Sequence, residues 1–352
     1  MSRIAVLTSG GVDSSVALCR LADDGAHSIE AYYLKIWLED EMAFLGSCPW
    51  EEDLSFVREI CRRLDVPLTI VPLQAEYFAS VVGYAIAELR AGRTPSPDLQ
   101  CNRTIKFGAF VDRVRDRVDL VASGHYARIV RRDGVAHLLR GIDPVKDQTY
   151  FLSQLEQHQL DRCLFPVGGL TKDEVRAEAR RYRLPNQDRP DSQGICFLGR
   201  IPYDDFIAFH LGELEGEIRE LASGRLLGSH RGYWFHTIGQ RRGLGLAGGP
   251  WYVADKDPGR NIVYVVHADQ LAGQHRRTFT IARPNWIAGP PVSGHFSVRI
   301  RHGERLMPCS AKITDDGSLA VQLEEGDPGI APGQFGVLYD GEECLGGGPI
   351  SE

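Results

Sequence analysis

No Gly-Lys-Ser or Gly-Lys-Thr occurs anywhere in the 352 residues, which excludes a Walker phosphate loop. The eight cysteines include no Cys-x-x-Cys pair, so neither a zinc ribbon nor a clustered iron–sulfur site is expected, and no structural metal. No apolar run approaches the ~20 residues that cross a bilayer. The N-terminus enters a strand pattern almost at once, without a cationic and apolar leader. The expectation is a cytoplasmic chain with no membrane partner, whose cysteines are not structural staples. Internal repeats and low-complexity segments are lacking. A positive surplus is lacking too: the net charge is −7, so no global field draws nucleic acid and any such contact must be local. What remains is ordinary globular composition, 43% hydrophobic and 25% charged, in a chain long enough for two or three domains.

The most informative segment is Ser9-Gly10-Gly11-Val12-Asp13-Ser14, directly after the apolar run Ile4-Ala5-Val6-Leu7. Two glycines let main-chain N–H groups converge in a turn that side chains would block. The helix opening behind them adds unpaired N–H groups and the positive end of its dipole. Together these make an anion nest suited to phosphate. The plainer alternative is an ordinary tight strand–helix turn. The spelling Ser-Gly-Gly-x-Asp-Ser resembles the pyrophosphate loop of the adenylating ATPases, which split ATP into AMP and pyrophosphate.

Residues 1–150 alternate strand patterns (3–8, 29–37, 68–73, 120–123) with helical periodicity (13–22, 52–64, 77–90, 105–114), the signature of a doubly wound α/β domain that binds ligands at the carboxyl ends of its strands. A hairpin is expected over 128–142 around Asp133-Gly134, and Thr171 with Glu174 forms a capping box for a further helix. After about Gly199 the texture becomes short strands between glycine turns: 225–229, 233–237, 251–254 and 262–266, then 279–282, 297–300, 310–313, 320–323 and 335–339. The expected fold is α/β: a Rossmann-type domain over 1–200, a small β-rich central domain over 201–275, and a C-terminal β-barrel over 276–352. Gly243 to Gly248 spells Gly-x-Gly-x-x-Gly, but no strand precedes it and Pro250 follows, so no dinucleotide site is expected there.

Two thiol-bearing loops stand out. Pro95 to Asn102 is a proline loop entering a helix, which presents Asp98 and Cys101 three residues apart, where a helix N-terminus favours thiolate. Asp98 reads equally as a helix cap. Asp191 to Phe197 places Gly194 beside Cys196, which by itself reads as a core filler. Cys19 (with Val16), Cys61 (among Val57, Ile60 and Leu64) and Cys163 read as core residues. Two basic clusters could meet a polyanion or be solvated faces: six arginines against one acid over Arg276–Arg305, and six cations against four acids over Lys172–Arg189.

In chain order there then follow Pro-x-Pro-Asp-x-x-Cys-Asn-x-x-Ile-Lys-Phe (Pro95 to Phe107), Ser123-Gly124-His125-Tyr126-Ala127, Lys-Asp-Gln-x-Tyr-Phe-Leu (Lys146 to Leu152), Gly-Ile-Cys-Phe (Gly194 to Phe197), Gly-Tyr-Trp-Phe-x-Thr-Ile-Gly-Gln-Arg (Gly232 to Arg241), Ala331-Pro332-Gly333-Gln334 and Gly346-Gly347-Gly348-x-Ile350. With the loop at Ser9, this ordered set spans nearly the whole chain and resembles the bacterial tRNA-specific 2-thiouridylases (MnmA/TrmU family) of the pyrophosphate-loop ATPase superfamily. The resemblance implies an N-terminal domain of the adenine-nucleotide alpha-hydrolase-like type and an ATP-dependent sulfurtransferase acting on the wobble uridine of tRNAs for Lys, Glu and Gln. It implies ATP binding by Leu7, Thr8, Ser9, Gly10, Gly11, Val12, Asp13, Ser14, Leu34 and Gly124, with Mg²⁺ as charge neutraliser. Cys101 would be the nucleophile, Cys196 the persulfide carrier and Asp98 the acid/base group, with a transient Cys101–Cys196 disulfide. Ser96, Pro97, Asp98, His125, Lys146, Asp147, Gln148, Arg301, His302 and Gln334 would contact tRNA. The implied partners are tRNA and a cysteine desulfurase or sulfur-relay protein, the enzyme being a monomer. Leu34 stands where a methionine is common in the family, and His302 where a tyrosine is. Two readings from other classes compete: a pyrophosphate-loop synthetase acting on a small molecule, which needs no thiol pair, and a non-catalytic RNA-binding protein with a decayed ATPase domain.

Overall fold

In a computed structural model of the protein, residues 1–36, 50–191, 202–292 and 294–351 are described. The chain opens with strand β1 (Arg3–Leu7), helix α1 (Val12–Asp24) and strand β2 (Ser28–Lys35), continues through helix α2 (Trp50–Leu64) and β3 (Leu68–Pro72), and after further helical segments reaches β4 (Leu120–Ala122). A hairpin of β5 (Ala127–Arg132) and β6 (Val135–Arg140) follows, then the two-residue strand β7 (Cys163–Leu164). Strands β3-β2-β1-β4-β7 form one sheet in that order, all parallel. Such strands are buried on both faces, and β1 shows it, with Ile4, Ala5, Val6 and Leu7 all in the core. Chain direction across the sheet reverses between β1 and β4, which opens a crevice at their carboxyl ends.

The central region holds helix Tyr203–Leu211 and a four-stranded sheet of β8 (Gly216–Glu220), β9 (Leu226–His230), β10 (Trp251–Asp257) and β11 (Ile262–His267), ordered β10-β11-β8-β9. The third region supplies β12 (Arg276–Ile281), β13 (Asn285–Trp286), β14 (Gly294–Arg299), β15 (Met307–Ile313), β16 (Leu319–Asp327), β17 (Phe335–Asp340) and β18 (Glu343–Pro349). These close on themselves, since the chain at the end of β18 returns to β12 through the Ile281–Ile350 bridge and the Ala282 N–H on the Pro349 carbonyl. β18 pairs with β6 through Cys344 and Leu138, so the hairpin of the first region is continuous with the C-terminal sheet. The expected fold class therefore stands: a parallel-sheet α/β domain, a small β domain and a C-terminal β-rich domain.

Local expectations were met unevenly. Thr171 Oγ1 accepts from the Glu174 N–H while Glu174 returns to the Thr171 N–H, the full capping box. The strand expected over 233–237 is instead a single 3₁₀ turn, Tyr233–Phe235. Gly232 before it sits at φ 144°, and the Tyr233 hydroxyl reaches back 2.5 Å to the Arg90 carbonyl, which pins the turn to the first domain. No described helix is long and apolar enough to cross a membrane.

Candidate active site

The loop after β1 is built by glycine. Gly10 has φ +75°, and a Cβ there would lie 2.7 Å from the Asp53 carbonyl oxygen at the start of α2. Ser14 Oγ receives the Ser9 N–H (3.2 Å) and donates to the Gly11 carbonyl (3.0 Å), while Ser15 Oγ donates to the same carbonyl (2.9 Å). Gly124, at the end of β4, lies against the first turn of α1: a Cβ there would come within 2.6 Å of the Ser14 nitrogen. The two loops at the reversal point thus touch main chain to main chain. Thr8 donates from Oγ1 to the Tyr32 carbonyl (3.1 Å), and Leu34 is half-buried near the carboxyl end of β2, beside the loop's own strand.

Around this nest stands a ring of charge that motif reading missed. Asp13 Oδ1 accepts from the Tyr126 hydroxyl (2.8 Å) and from Lys172 Nζ (2.6 Å). Lys172 also pairs with Asp191 Oδ1 (2.6 Å), which receives Arg176 (2.9 Å), while Lys146 holds Asp191 Oδ2 (2.6 Å). Asn186 donates to the Gly10 carbonyl (2.8 Å) and to Ser15 Oγ (3.0 Å), and Arg189 reaches the Gly10 carbonyl (3.2 Å) and Asp53 (2.5 Å). The signal in the sequence was the basic run from Lys172 to Arg189, whose direction only the fold supplies. Gln148 Oε1 accepts the Tyr126 N–H (3.0 Å), which ties the 146–148 segment to the same network.

The proline loop arrives from another side. Helix Pro97–Cys101 begins with Pro97 at its first position, where the missing N–H costs nothing, and runs on into a π-helical segment to Ala109. Cys101 does not lie open at a helix tip: it is 1% exposed and packs into the main core with Leu99, Ile105 and Phe107, because the helix continues past it. Cys196, expected opposite, lies outside the described residues. Just upstream, the Thr94 N–H donates to the Pro332 carbonyl (2.8 Å), and Gly333 leaves no room for a Cβ against Thr94. Gln334 is therefore held next to the entrance of the Ser96–Asp98 turn. His302 stacks on Phe151 (4.4 Å, 25°); partial burial and Arg299 lower its pKa, with Asp147 and Asp98 opposing. His125 accepts or donates at Nδ1 to Ser123 Oγ (2.8 Å) and packs by Phe107 and Phe165, so burial, helped by Lys106, drives its pKa well below 6.5.

Two expected tRNA contacts look different in place. The Asp147 carboxylate is wholly buried, bonded to Arg299 (2.6 Å), Arg140 and Thr149, and its N–H donates to the Asp143 carbonyl, so the residue is occupied inside the fold. Arg301 is clamped by both oxygens of Asp327 (3.1 and 3.0 Å), though its side chain stays half exposed.

Three contiguous family matches cover this arrangement: "tRNA methyl transferase HUP domain" over 2–200, "tRNA methyl transferase PRC-barrel domain" over 204–267 and "Aminomethyltransferase beta-barrel domain" over 276–350. Over 355 residues the chain is 44% identical to tRNA-specific 2-thiouridylase MnmA 1 of Bacteroides thetaiotaomicron, covering 99% of both chains. The chain belongs to the tRNA-specific 2-thiouridylase family. A second relative, tRNA-specific 2-thiouridylase MnmA of Porphyromonas gingivalis, is 42% identical over 360 residues, again covering 99% of both. Within this family frame, the pyrophosphate loop and the helix at Cys101 belong to the first matched segment, and His302 and Gln334 to the third.

Proposed function

We propose that this chain is a tRNA-uridine 2-sulfurtransferase of the cytoplasm, acting as a monomer on the wobble uridine of tRNAs for Lys, Glu and Gln, with its work divided over 1–200, 201–275 and 276–352. The carrying observation is the full-length likeness to named 2-thiouridylases together with a glycine-built nest at the sheet's reversal point. Oxygen at C2 of uracil is a poor leaving group. Attack by that oxygen on the α-phosphorus of ATP forms a C2–O–P bond and releases pyrophosphate. The N–H groups of Ser9 to Ser14 would receive the pyrophosphate, with Leu7, Thr8, Val12, Leu34 and Gly124 around the nucleotide. Among the described residues no group of three or more His, Cys, Asp or Glu converges as a metal centre. One or two carboxylates suffice for Mg²⁺ that arrives on phosphates, and Asp13 fits that donor set. Bound there, Mg²⁺ would neutralise phosphate charge.

Sulfur comes from a cysteine desulfurase or a relay protein as a persulfide on Cys196. In one order of events its terminal sulfur attacks C2, AMP departs, and Cys101 then attacks the Cys196 sulfur, leaving C2=S and a Cys101–Cys196 disulfide. In the other, Cys101 first releases sulfide from the persulfide, and sulfide attacks. Both end in the same disulfide, which thiol exchange must clear. Asp98 would move the proton. A base must leave its stack to reach this chemistry. Ser96, Pro97 and Asp98 would line its pocket, with His125, Lys146, the segment at Asp147, Gln148, Arg301, His302 and Gln334 on the tRNA. The test is ATP-dependent incorporation of labelled sulfur into transcribed tRNA with a cysteine desulfurase. Thiolation by wild type and none by Cys101→Ser or Cys196→Ser is expected. Wild-type thiolation in either variant would overturn the persulfide scheme.

A further inference from the structure

Pyrophosphate departs with several negative charges, while the loop at Ser9–Ser14 offers only main-chain dipoles and no lysine of its own. The neutralising cations must come from elsewhere in the fold, and three converge beside the loop. Lys172 Nζ lies 2.6 Å from Asp13 Oδ1, inside the loop, and 2.6 Å from Asp191 Oδ1. Lys146 and Arg176 close on the same Asp191 carboxylate at 2.6 and 2.9 Å. The Lys172 side chain is only 14% exposed. Three cations face two carboxylates, Asp13 and Asp191, which leaves one positive charge in excess at a half-buried place, an arrangement that suits an anion of higher charge. Arg176 is also fixed by the carbonyls of Gln187 and Arg189 (2.8 and 2.7 Å), so its guanidinium stays in position if Asp191 departs. Asp191 is itself about one-third exposed, so it has solvent to move into.

We propose that Lys172, backed by Arg176 and Lys146, is the side-chain receptor for the two terminal phosphates of the nucleotide, and that Asp191 fills it as an internal anion until they arrive. A phosphate oxygen and a carboxylate oxygen make the same charge-assisted contacts to ammonium and guanidinium. Burial pushes the Asp191 carboxyl up, but hydrogen bonds from Lys146 and Lys172 prevail and hold it at about 2, so the internal anion stays charged at every working pH. The competition is therefore set by affinity and not by protonation. The proposal rests on the reading of the loop as an ATP site.

Calorimetric titration with inorganic pyrophosphate and, separately, with AMP tests it. Lys172→Met should weaken pyrophosphate binding roughly tenfold or more, the scale of a lost charge-assisted contact. Asp191→Asn should change it in the opposite direction, tightening it severalfold, because the competitor is gone. AMP, which lacks the two terminal phosphates, should bind alike in all three proteins, and Lys172→Arg should restore most of the loss. Each variant is melted beside wild type. Should Asp191→Asn fail to fold, Lys146→Met takes its place, with a pyrophosphate loss smaller than that of Lys172→Met and AMP binding unchanged. If wild type binds neither pyrophosphate nor AMP, the nucleotide reading itself fails. If wild type binds but Lys172→Met binds equally, or a folded Asp191→Asn binds more weakly, the receptor is not built this way.

Discussion

The pyrophosphate loop and the arginine-rich stretch from 276 to 305 are both candidate anion sites in the sequence, and the fold treats them oppositely. At the loop, the donors are main-chain N–H groups whose geometry is set within six residues, and the fold then brings Lys172, Arg176, Lys146 and Arg189 around them. In the arginine stretch, four of the six arginines are engaged by the protein itself, while Arg277 and Arg283 stay exposed. Arg299 is wholly buried on Asp147, Arg301 grips Asp327, Arg305 meets Glu325 and Asp327, and Arg276 donates to the Ile330 carbonyl. A charge count along a window cannot report partners 20 to 150 residues away, whereas a main-chain nest carries its geometry with it.

The sharpest way to break the contrast is at the loop. Gly124→Val places a branched side chain where even a Cβ comes within 2.6 Å of the Ser14 nitrogen. Nucleotide binding should be lost, with an overpacking cost of about 1–3 kcal/mol in denaturant. Nucleotide titration beside a urea melt separates the two effects, and normal ATP binding in a folded variant would contradict the close approach.

The corresponding change in the arginine stretch should cost stability first. Arg299→Met leaves the buried Asp147 carboxylate with the longer Arg140 contact as its remaining cation, a loss toward the lower end of about 3–5 kcal/mol. Pairing it with Asp147→Asn should return part of that loss in a double-mutant cycle. Independent, additive effects would mean that the pair is not the anchor it looks like.

How far the sequence carried the reading follows the same division. The parallel strands, the glycine loop and the Thr171–Glu174 box were legible because each is a local pattern. Strand β18 was not, since Glu343–Pro349 holds three consecutive glycines that read as a turn. They are there because a Cβ on Gly347 would lie 2.0 Å from the Gly336 carbonyl oxygen and one on Gly346 2.1 Å from that of Asn285. β7, only two residues long, and the junction of β6 with β18 leave no periodic trace. In the site, the loop and the Pro97 helix start were readable, while the depth of Cys101 and the Lys172–Asp191 pairing depend on chain brought from far away.

A smaller effect compares two histidines, one in each region. His125, beside the nucleotide crevice, is held far below 6.5 by burial, and His302, stacked on Phe151 and with more of its surface in solvent, is lowered less. On acidification His125 should stay neutral to lower pH than His302 in an NMR titration. Each has a folded pKa below its unfolded value, so the unfolded chain binds the extra proton. Their contribution to stability is complete above about pH 6.5 and is lost as pH falls toward the folded values. Titration of His125 at its ordinary pKa would place it in open solvent instead.

Smallest of all is Arg301→Ala. A phosphate contact adds roughly 0.7–0.9 to the salt slope of binding. Because Asp327 already engages this guanidinium, tRNA affinity should drop modestly and the slope should fall by about one unit or less, with ATP binding unchanged. An identical slope would take Arg301 off the tRNA surface.

The central claim, that the glycine nest activates uridine for sulfur by transferring AMP, is tested most directly by one single-turnover reaction with α-labelled ATP, persulfide-loaded enzyme and transcribed tRNA. The account predicts AMP and 2-thiouridine in equal amounts, with pyrophosphate as the other product. ADP with inorganic phosphate, or 2-thiouridine formed without AMP, would contradict it.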